Sequence, residues 1–158
     1  MPHRRPPRLP TFDYRGAYRY FVTCCAVERR RVFVEDQVVR SLVQQILHAG
    51  AKHRFAVLAY VFMPDHLHLL VEGQTADADF RAFMRFLRRR TAIEYRRLTL
   101  LKLWQDGYYE RVLRKDDATP AVISYILDNP VRAGLVENAT DYPFGWTIDL
   151  EACQGARI

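Results

Sequence analysis

Cysteine is scarce in this 158-residue chain: Cys24, Cys25 and Cys153 are the only three. The odd number and the lack of metal-type spacing argue against both a disulfide framework and a thiolate zinc site. Cys24 and Cys25 are adjacent, so on a strand they point to opposite faces and read as reduced thiols. No apolar run approaches the roughly 20 residues that span a bilayer. The N-terminus lacks the apolar core of a signal peptide, so the expected location is cytoplasmic. Internal repeats and a second-domain boundary are also missing, which leaves one domain large enough for a real core. Acid is in deficit, with 18 Asp and Glu against 24 Lys and Arg and a formal net charge of +6. Arginine dominates the excess, and its bidentate fork suits phosphate.

What is present divides into a basic, proline-rich arm over residues 1–14, a single domain over 15–147 and a C-terminal tail over 148–158. The arm carries Arg4, Arg5 and Arg8 and half of the eight prolines, and it has neither helix nor strand pattern. Arg19 to Val27 alternates aromatic, β-branched and small residues as a central strand does. From Asp36, the expected N-cap, Val38, Val39, Leu42, Val43, Ile46 and Leu47 recur at helical spacing until about Gly50. Residues 78–98 predict a long helix with Phe80, Phe83, Met84, Leu87, Thr91, Tyr95 and Leu98 on one arc and Arg81, Arg85, Arg88, Arg89 and Arg96 beside it. Trp104 to Leu113 reads as an edge strand. Thr119-Pro120 opens a further helix, Thr as N-cap and Pro at the first helical position. Asn129-Pro130 interrupts it, and a short turn follows to Gly134. Beyond Trp146 there is little pattern. The order predicts an α+β domain: a ferredoxin-like, RRM-like antiparallel sheet with helices packed on one face.

The stretch from Val57 to Glu72 organises the rest. Two apolar runs flank Met63-Pro64-Asp65, which predicts a hairpin of central strands. His66 and His68 are two apart, so both imidazoles leave one face while Leu67 enters the core on the other. Such a pair is half of a divalent-metal site, although two histidines on a strand also serve as ordinary satisfied polar residues. Tyr125 and Asn129 are four apart and share one side of a helix. A phenol with an unperturbed pKa of about 10 is a weak nucleophile at neutral pH, but a cation that polarises a phosphate changes that balance. Asn129 offers a hard amide oxygen beside two imidazoles. Each residue also has a structural reading, Tyr125 as a boundary aromatic and Asn129 as a helix terminator, so the chemistry rests on their combination.

Phe62-Met63-Pro64-Asp65-His66-Leu67-His68-Leu69-Leu70 resembles the His–hydrophobic–His (HUH) motif of the single-tyrosine transposases. Residues 124–136, SYILDNPVRAGLV, are similar to the tyrosine-helix signature of their REP-associated branch, as are residues 103–114, LWQDGYYERVLR, and Asp141-Tyr142-Pro143. With the strand near Tyr20-Phe21-Val22-Thr23, the resemblance covers roughly residues 15–147. It implies an HUH endonuclease-type fold and metal-dependent cutting and joining of single-stranded, hairpin-containing DNA. Tyr125 would be the catalytic nucleophile, giving a 5′-phosphotyrosine and a free 3′-OH. His66, His68 and Asn129 would hold Mg²⁺ or Mn²⁺. Relatives act as monomers or as homodimers that exchange the tyrosine helix, and the sequence leaves both open.

Expected DNA contacts are Arg85, Arg88 and Arg89 on the long helix, Arg111, Arg114 and Arg132 near the tyrosine helix, and Arg4, Arg5 and Arg8 in the arm. Exposed aromatics among Trp104, Tyr108 and Tyr109 would stack on bases, although Trp104 reads better as a core residue and one of the two tyrosines has the same alternative. Two other classes stand beside the enzyme. One is a non-catalytic single-stranded nucleic-acid-binding module on the same fold. The other is a structural zinc protein, disfavoured by the distance in sequence between cysteines and histidines.

Overall fold

The computed structural model describes residues 10–114 and 118–148. In chain order the elements are β1 (Arg19–Cys25), α1 (Asp36–His53), β2 (Phe55–Met63), β3 (His66–Gly73), α2 (Phe80–Thr99), β4 (Tyr109–Leu113), α3 (Ala118–Arg132) and β5 (Gly145–Thr147). The strands form one sheet in the order β4-β1-β3-β2-β5, with every neighbouring pair antiparallel. This is the expected α+β arrangement. β2 and β3 form the expected hairpin, pairing Met63 with His66 across Pro64-Asp65.

Strand alternation divides the sheet into two faces. Tyr20, Val22 and Cys24 of β1 and Leu67, Leu69 and Val71 of β3 pack under α1 and α2. Phe21 of β1 and Leu70 of β3 lie on the other face, with Val122, Ile123 and Ile126 of α3. The helix pair therefore occupies one face as expected, but not all helices share it: α3 covers the opposite face, from which His66 and His68 project, because Phe21 and Leu70 give its apolar residues a second surface to bury against. β2 serves both faces through a register shift between Val57 and Ala59. Before it, Phe55 and Val57 face the helix pair; after it, Phe62 does, while Ala59, Val61 and Met63 face α3. A bulge of this kind reverses side-chain parity within one strand.

The helix-pair core is aromatic. Tyr20 and Phe80 stack at 3.8 Å and 9°, and Phe55 and Phe83 at 4.6 Å. Burying each such side chain contributes about 1.5–3 kcal/mol. Trp104 belongs to this core rather than to an exposed stacking surface: it is buried and its Nε1 donates to Thr91 Oγ1 at 2.9 Å.

Several boundaries differ from the sequence expectation. α1 passes through Gly50 to His53 and is capped by Arg54 at φ 60°. Gly50 is there for close approach, since a Cβ at that position would meet the Phe55 carbonyl oxygen at 2.6 Å. Glu35 rather than Asp36 is its N-cap, and Asp36 instead pairs with Arg40 one turn on. α2 begins one residue after Asp79, whose side chain accepts from Ala82 N. α3 begins at Ala118, so Thr119 is not its cap; its buried hydroxyl accepts from Arg19 Nη1 at 2.9 Å. Nor does Pro130 break α3, which continues to Arg132. A proline in the last turn removes a single backbone donor, and its ring is buried. The short edge strand β5 falls where no pattern was legible. Phe12 and Tyr14, assigned by sequence to the arm, pack into the core, so ordered structure begins before residue 15. Arg4, Arg5 and Arg8, and the tail from residue 149, lie outside the described residues. No helix among the described residues is long and apolar enough to cross a membrane.

Candidate active site

β3 fixes the two imidazoles. Leu67 and Leu69, fully buried on the helix-pair face, alternate with His66 and His68 and set their direction. The ring Nε2 atoms approach to 3.2 Å. The far nitrogens are both engaged: His66 Nδ1 bonds Asp65 Oδ1 at 2.7 Å, and His68 Nδ1 bonds Thr23 Oγ1 at 2.9 Å. A carboxylate only accepts, so Asp65 fixes the proton of neutral His66 on Nδ1 and leaves a lone pair on its Nε2. Thr23 stands opposite His68 in the β1–β3 register.

Burial pushes His68 down to about 3, helped by the neighbouring His66 and opposed by a hydrogen bond with the Asn129 side chain. Burial lowers His66 as well, against the pull of Asp65. Both rings are thus neutral, as metal ligation requires. Asp65 lies below the usual carboxylate range. Partial burial works against this, but hydrogen bonds from His66 and Arg29 outweigh it.

α3 delivers the remaining groups. Its apolar residues Val122, Ile123 and Ile126 press on the sheet. One turn of helix then places Tyr125 and Asn129 on the histidine side. The Tyr125 ring lies 5.8 Å from the His68 ring and 6.0 Å, edge-on, from Phe21. It is 40% exposed and lines the same cleft as the two histidines. Asn129 Nδ2 donates to the Tyr125 carbonyl at 2.7 Å, which leaves the amide oxygen for His68 or a cation. One chain supplies all four groups.

The donor set can be tested for metal fit. Two nitrogens each about 2.1 Å from one cation lie about 3.0 Å apart at a right angle and about 3.4 Å apart at the tetrahedral angle. The observed 3.2 Å falls between them. Both outer nitrogens already have the orienting partners that ligand imidazoles need. Among the described residues no group of three or more His, Cys, Asp or Glu is placed to hold a metal. The candidate set is two imidazoles with the Asn129 amide oxygen. Cys24 is buried on the other face of the sheet, away from the histidines, whereas Cys25 lines the cleft with them and its Sγ accepts from Arg29 Nη1.

These residues line a cleft of about 720 Å³, walled by β1, β4, α3 and the segment Gln105–Tyr108. Of the arginines expected to contact DNA, Arg111 lines the cleft and Arg132 lies over the Tyr125 ring at 4.9 Å. Arg114 is exposed just past β4. Arg85 and Arg89 are exposed on α2, on the far side of the sheet, and are not brought to the cleft. Arg88 is half-buried and committed to the wall: its Nη2 donates to the Gln105 carbonyl at 2.6 Å and its guanidinium covers the Tyr108 ring. Sequence reasoning missed Thr23, Asp65 and Arg29 as site residues. Period-two alternation would have found Thr23 had the β1–β3 register been known. Asp65 and Arg29 depend on turn geometry with no sequence signal of its own.

Comparison with known proteins places the family and the fold. The family model described as "Transposase IS200 like" matches residues 15–129. The REP-associated tyrosine transposase of Escherichia coli K12 is 27% identical over 113 residues, 69% of this chain and 67% of that protein. A Haemophilus influenzae protein that carries the same name provisionally is 26% identical over 145 residues, 84% of this chain and 81% of that one. Among solved structures, a REP-associated tyrosine transposase bound to a REP hairpin superposes with a TM-score of 0.73 at 22% identity, covering 89% of this chain and 82% of the other. A Deinococcus radiodurans protein, provisionally named a transposase, gives 0.55 at 21% identity over 80% of this chain and 97% of its own.

Proposed function

This chain belongs to the IS200-like transposase family, and from that premise we propose that it cuts and rejoins single-stranded, hairpin-bearing DNA through Tyr125. The observation that carries the reading is the meeting of three groups in one cleft: paired Nε2 atoms 3.2 Å apart, the Asn129 amide, and a half-exposed phenol beside them. A non-catalytic DNA binder has no need of that constellation. The hairpin substrate follows from what the structurally similar transposase binds.

His66, His68 and Asn129 would hold a divalent cation, Mg²⁺ or Mn²⁺, which when bound supplies charge to polarise a phosphate oxygen. Tyr125 Oη forms a bond to the scissile phosphorus, and its proton leaves to solvent at the open mouth of the cleft. The P–O3′ bond breaks, and the departing oxygen takes a proton to become a 3′-OH. The 5′ end remains on Tyr125 as a phosphodiester, so bond energy is conserved and no nucleotide is consumed. Attack by a 3′-OH on that linkage reverses the chemistry, joins the strand and returns the phenol. Arg111 and Arg132 flank the nucleophile and provide charge for the strand's phosphates, which makes binding steeply salt-dependent.

The test is direct. Labelled single-stranded hairpin DNA with Mg²⁺ or Mn²⁺ yields a denaturant-resistant protein–DNA adduct, and Tyr125→Phe yields none while still binding. An adduct that survives in Tyr125→Phe assigns the nucleophile elsewhere; no adduct with the unaltered chain and any hairpin strand leaves the binding module.

A further inference from the structure

At the His66 end of the cleft one cation is held with unusual care. Arg29 Nε donates to Asp65 Oδ2 at 2.8 Å, and Asp65 Oδ1 is the atom that orients His66. Arg29 Nη1 donates to Cys25 Sγ at 3.1 Å. Cys25 in turn stands opposite His66 in the β1–β3 register. The side chain lines the cleft and is half exposed. With Nε and Nη1 engaged, Nη2 has no partner among the described residues.

The backbone that presents this side chain is costly. Glu28 and Arg29 both sit in the left-handed region, at φ 55° and 54°, a conformation that residues with a Cβ disfavour. The surrounding chain imposes it. Ala26 N bonds Asp65 O at 2.9 Å, Val27 N bonds Leu103 O at 2.8 Å and Phe33 N bonds Pro64 O at 3.0 Å. Four anchors on two other segments, counting the side-chain bond to Asp65, thus fix the turn against the β2–β3 hairpin. Strain concentrated beside a site and over-determined by its surroundings marks a position where side-chain placement matters.

We propose that Arg29 is a further substrate-contacting residue: its guanidinium Nη2 donates to a non-bridging oxygen of the phosphate that Tyr125 attacks. Its Nε holds Asp65, and so His66, in place. Arg111 and Arg132 approach the cleft from β4 and α3; Arg29 closes it from the opposite, imidazole end. A planar guanidinium anchored through Nε and Nη1 aims Nη2 in a fixed direction, which a flexible ammonium does not. This inference rests on the nuclease reading and adds a contact to it.

The experiment pairs a protein change with a substrate change. The scissile phosphate is first mapped from the adduct formed by the unaltered chain. Two oligonucleotides are then made, one natural and one with an uncharged methylphosphonate at that position. Their affinities are measured in EDTA for Tyr125→Phe, Tyr125→Phe/Arg29→Ala and Tyr125→Phe/Arg29→Lys, each checked by its melting curve. In the Arg29 background, neutralising the phosphate lowers affinity about tenfold, the scale of one charge-assisted contact. In Arg29→Ala the penalty falls to about twofold or less, and Arg29→Lys lies between. Should Arg29→Ala fail to fold, the reduced penalty is read from Arg29→Lys alone. An equal penalty in every background overturns the assignment while leaving the nuclease reading intact. If the unaltered chain forms no adduct, the nuclease reading falls first and takes this contact with it.

Discussion

The two faces of the sheet do different work. Under α1 and α2 the strands present stacked aromatics and aliphatics, with Tyr20, Phe62, Phe80 and Phe83 sealed from water. Under α3 the apolar contact is smaller, and the same strands present His66, His68, Thr23 and Cys25 to an open cleft. The contrast teaches how one face serves the other. Because side chains alternate, Leu67 and Leu69 in the tight core determine where the two imidazoles point. Close packing behind supplies rigidity in front, without asking the functional side chains to stabilise the fold.

That division predicts different consequences for substitutions on the two faces. The largest effect belongs to Phe80→Ala, which removes the ring stacked on Tyr20; it should cost about 3–5 kcal/mol, read as a lowered urea midpoint. Tyr125→Phe on the other face should leave the midpoint within about 0.5 kcal/mol. A comparable loss from both would break the contrast. Next in size, His66→Ala and His68→Ala should each reduce metal-dependent cleavage at least about a hundredfold, a loss no smaller than that from removing an orienting partner. Full cleavage by either variant rejects the pair as ligands.

How far the sequence discloses each face follows from the range of the interactions involved. The imidazole pair, the phenol and the amide are legible because their spacings, two on a strand and four on a helix, are local. Their convergence requires α3 to cross the histidine face, and nothing local says which face a helix takes. Thr23 becomes a partner of His68 only through the pairing of strands more than forty residues apart. Gly50 looks like a helix stop and is instead a point of close approach to Phe55. Arg88 looks like a member of a basic stripe, but its guanidinium is engaged with the cleft wall by the Gln105 carbonyl. In each case a tertiary neighbour decides between readings that local pattern leaves equal.

A subtler change sharpens the contrast within the site. Thr23→Val keeps the shape of the strand and removes the hydroxyl beside His68 Nδ1. Affinity for Mn²⁺, followed by calorimetry, should fall about 10- to 100-fold, while the urea midpoint moves little. An unchanged affinity would mean that His68 holds its orientation through β3 packing alone.

Acid separates the two faces by where each begins to lose stability. His68 is held neutral in the fold with a pKa of about 3 against the ordinary 6.5, so the unfolded chain takes up its proton first. Stability therefore falls as pH drops from about 6.5 toward 3, by an amount of order 1–2 kcal/mol at pH 5. Glu94, between α1 and α2, behaves differently. Hydrogen bonds from Arg97 and then Ser41 hold it at about 2, below its ordinary 4.5, so its contribution is intact above pH 4.5 and is lost only below it. Unfolding followed by urea across pH 7 to 4 should show a slope that His68→Asn reduces and Glu94→Gln leaves unchanged above pH 4.5. A flat profile between pH 6.5 and 4.5 would mean that the imidazoles are better solvated than their burial indicates, and that the open face does not pay for keeping its ligands neutral.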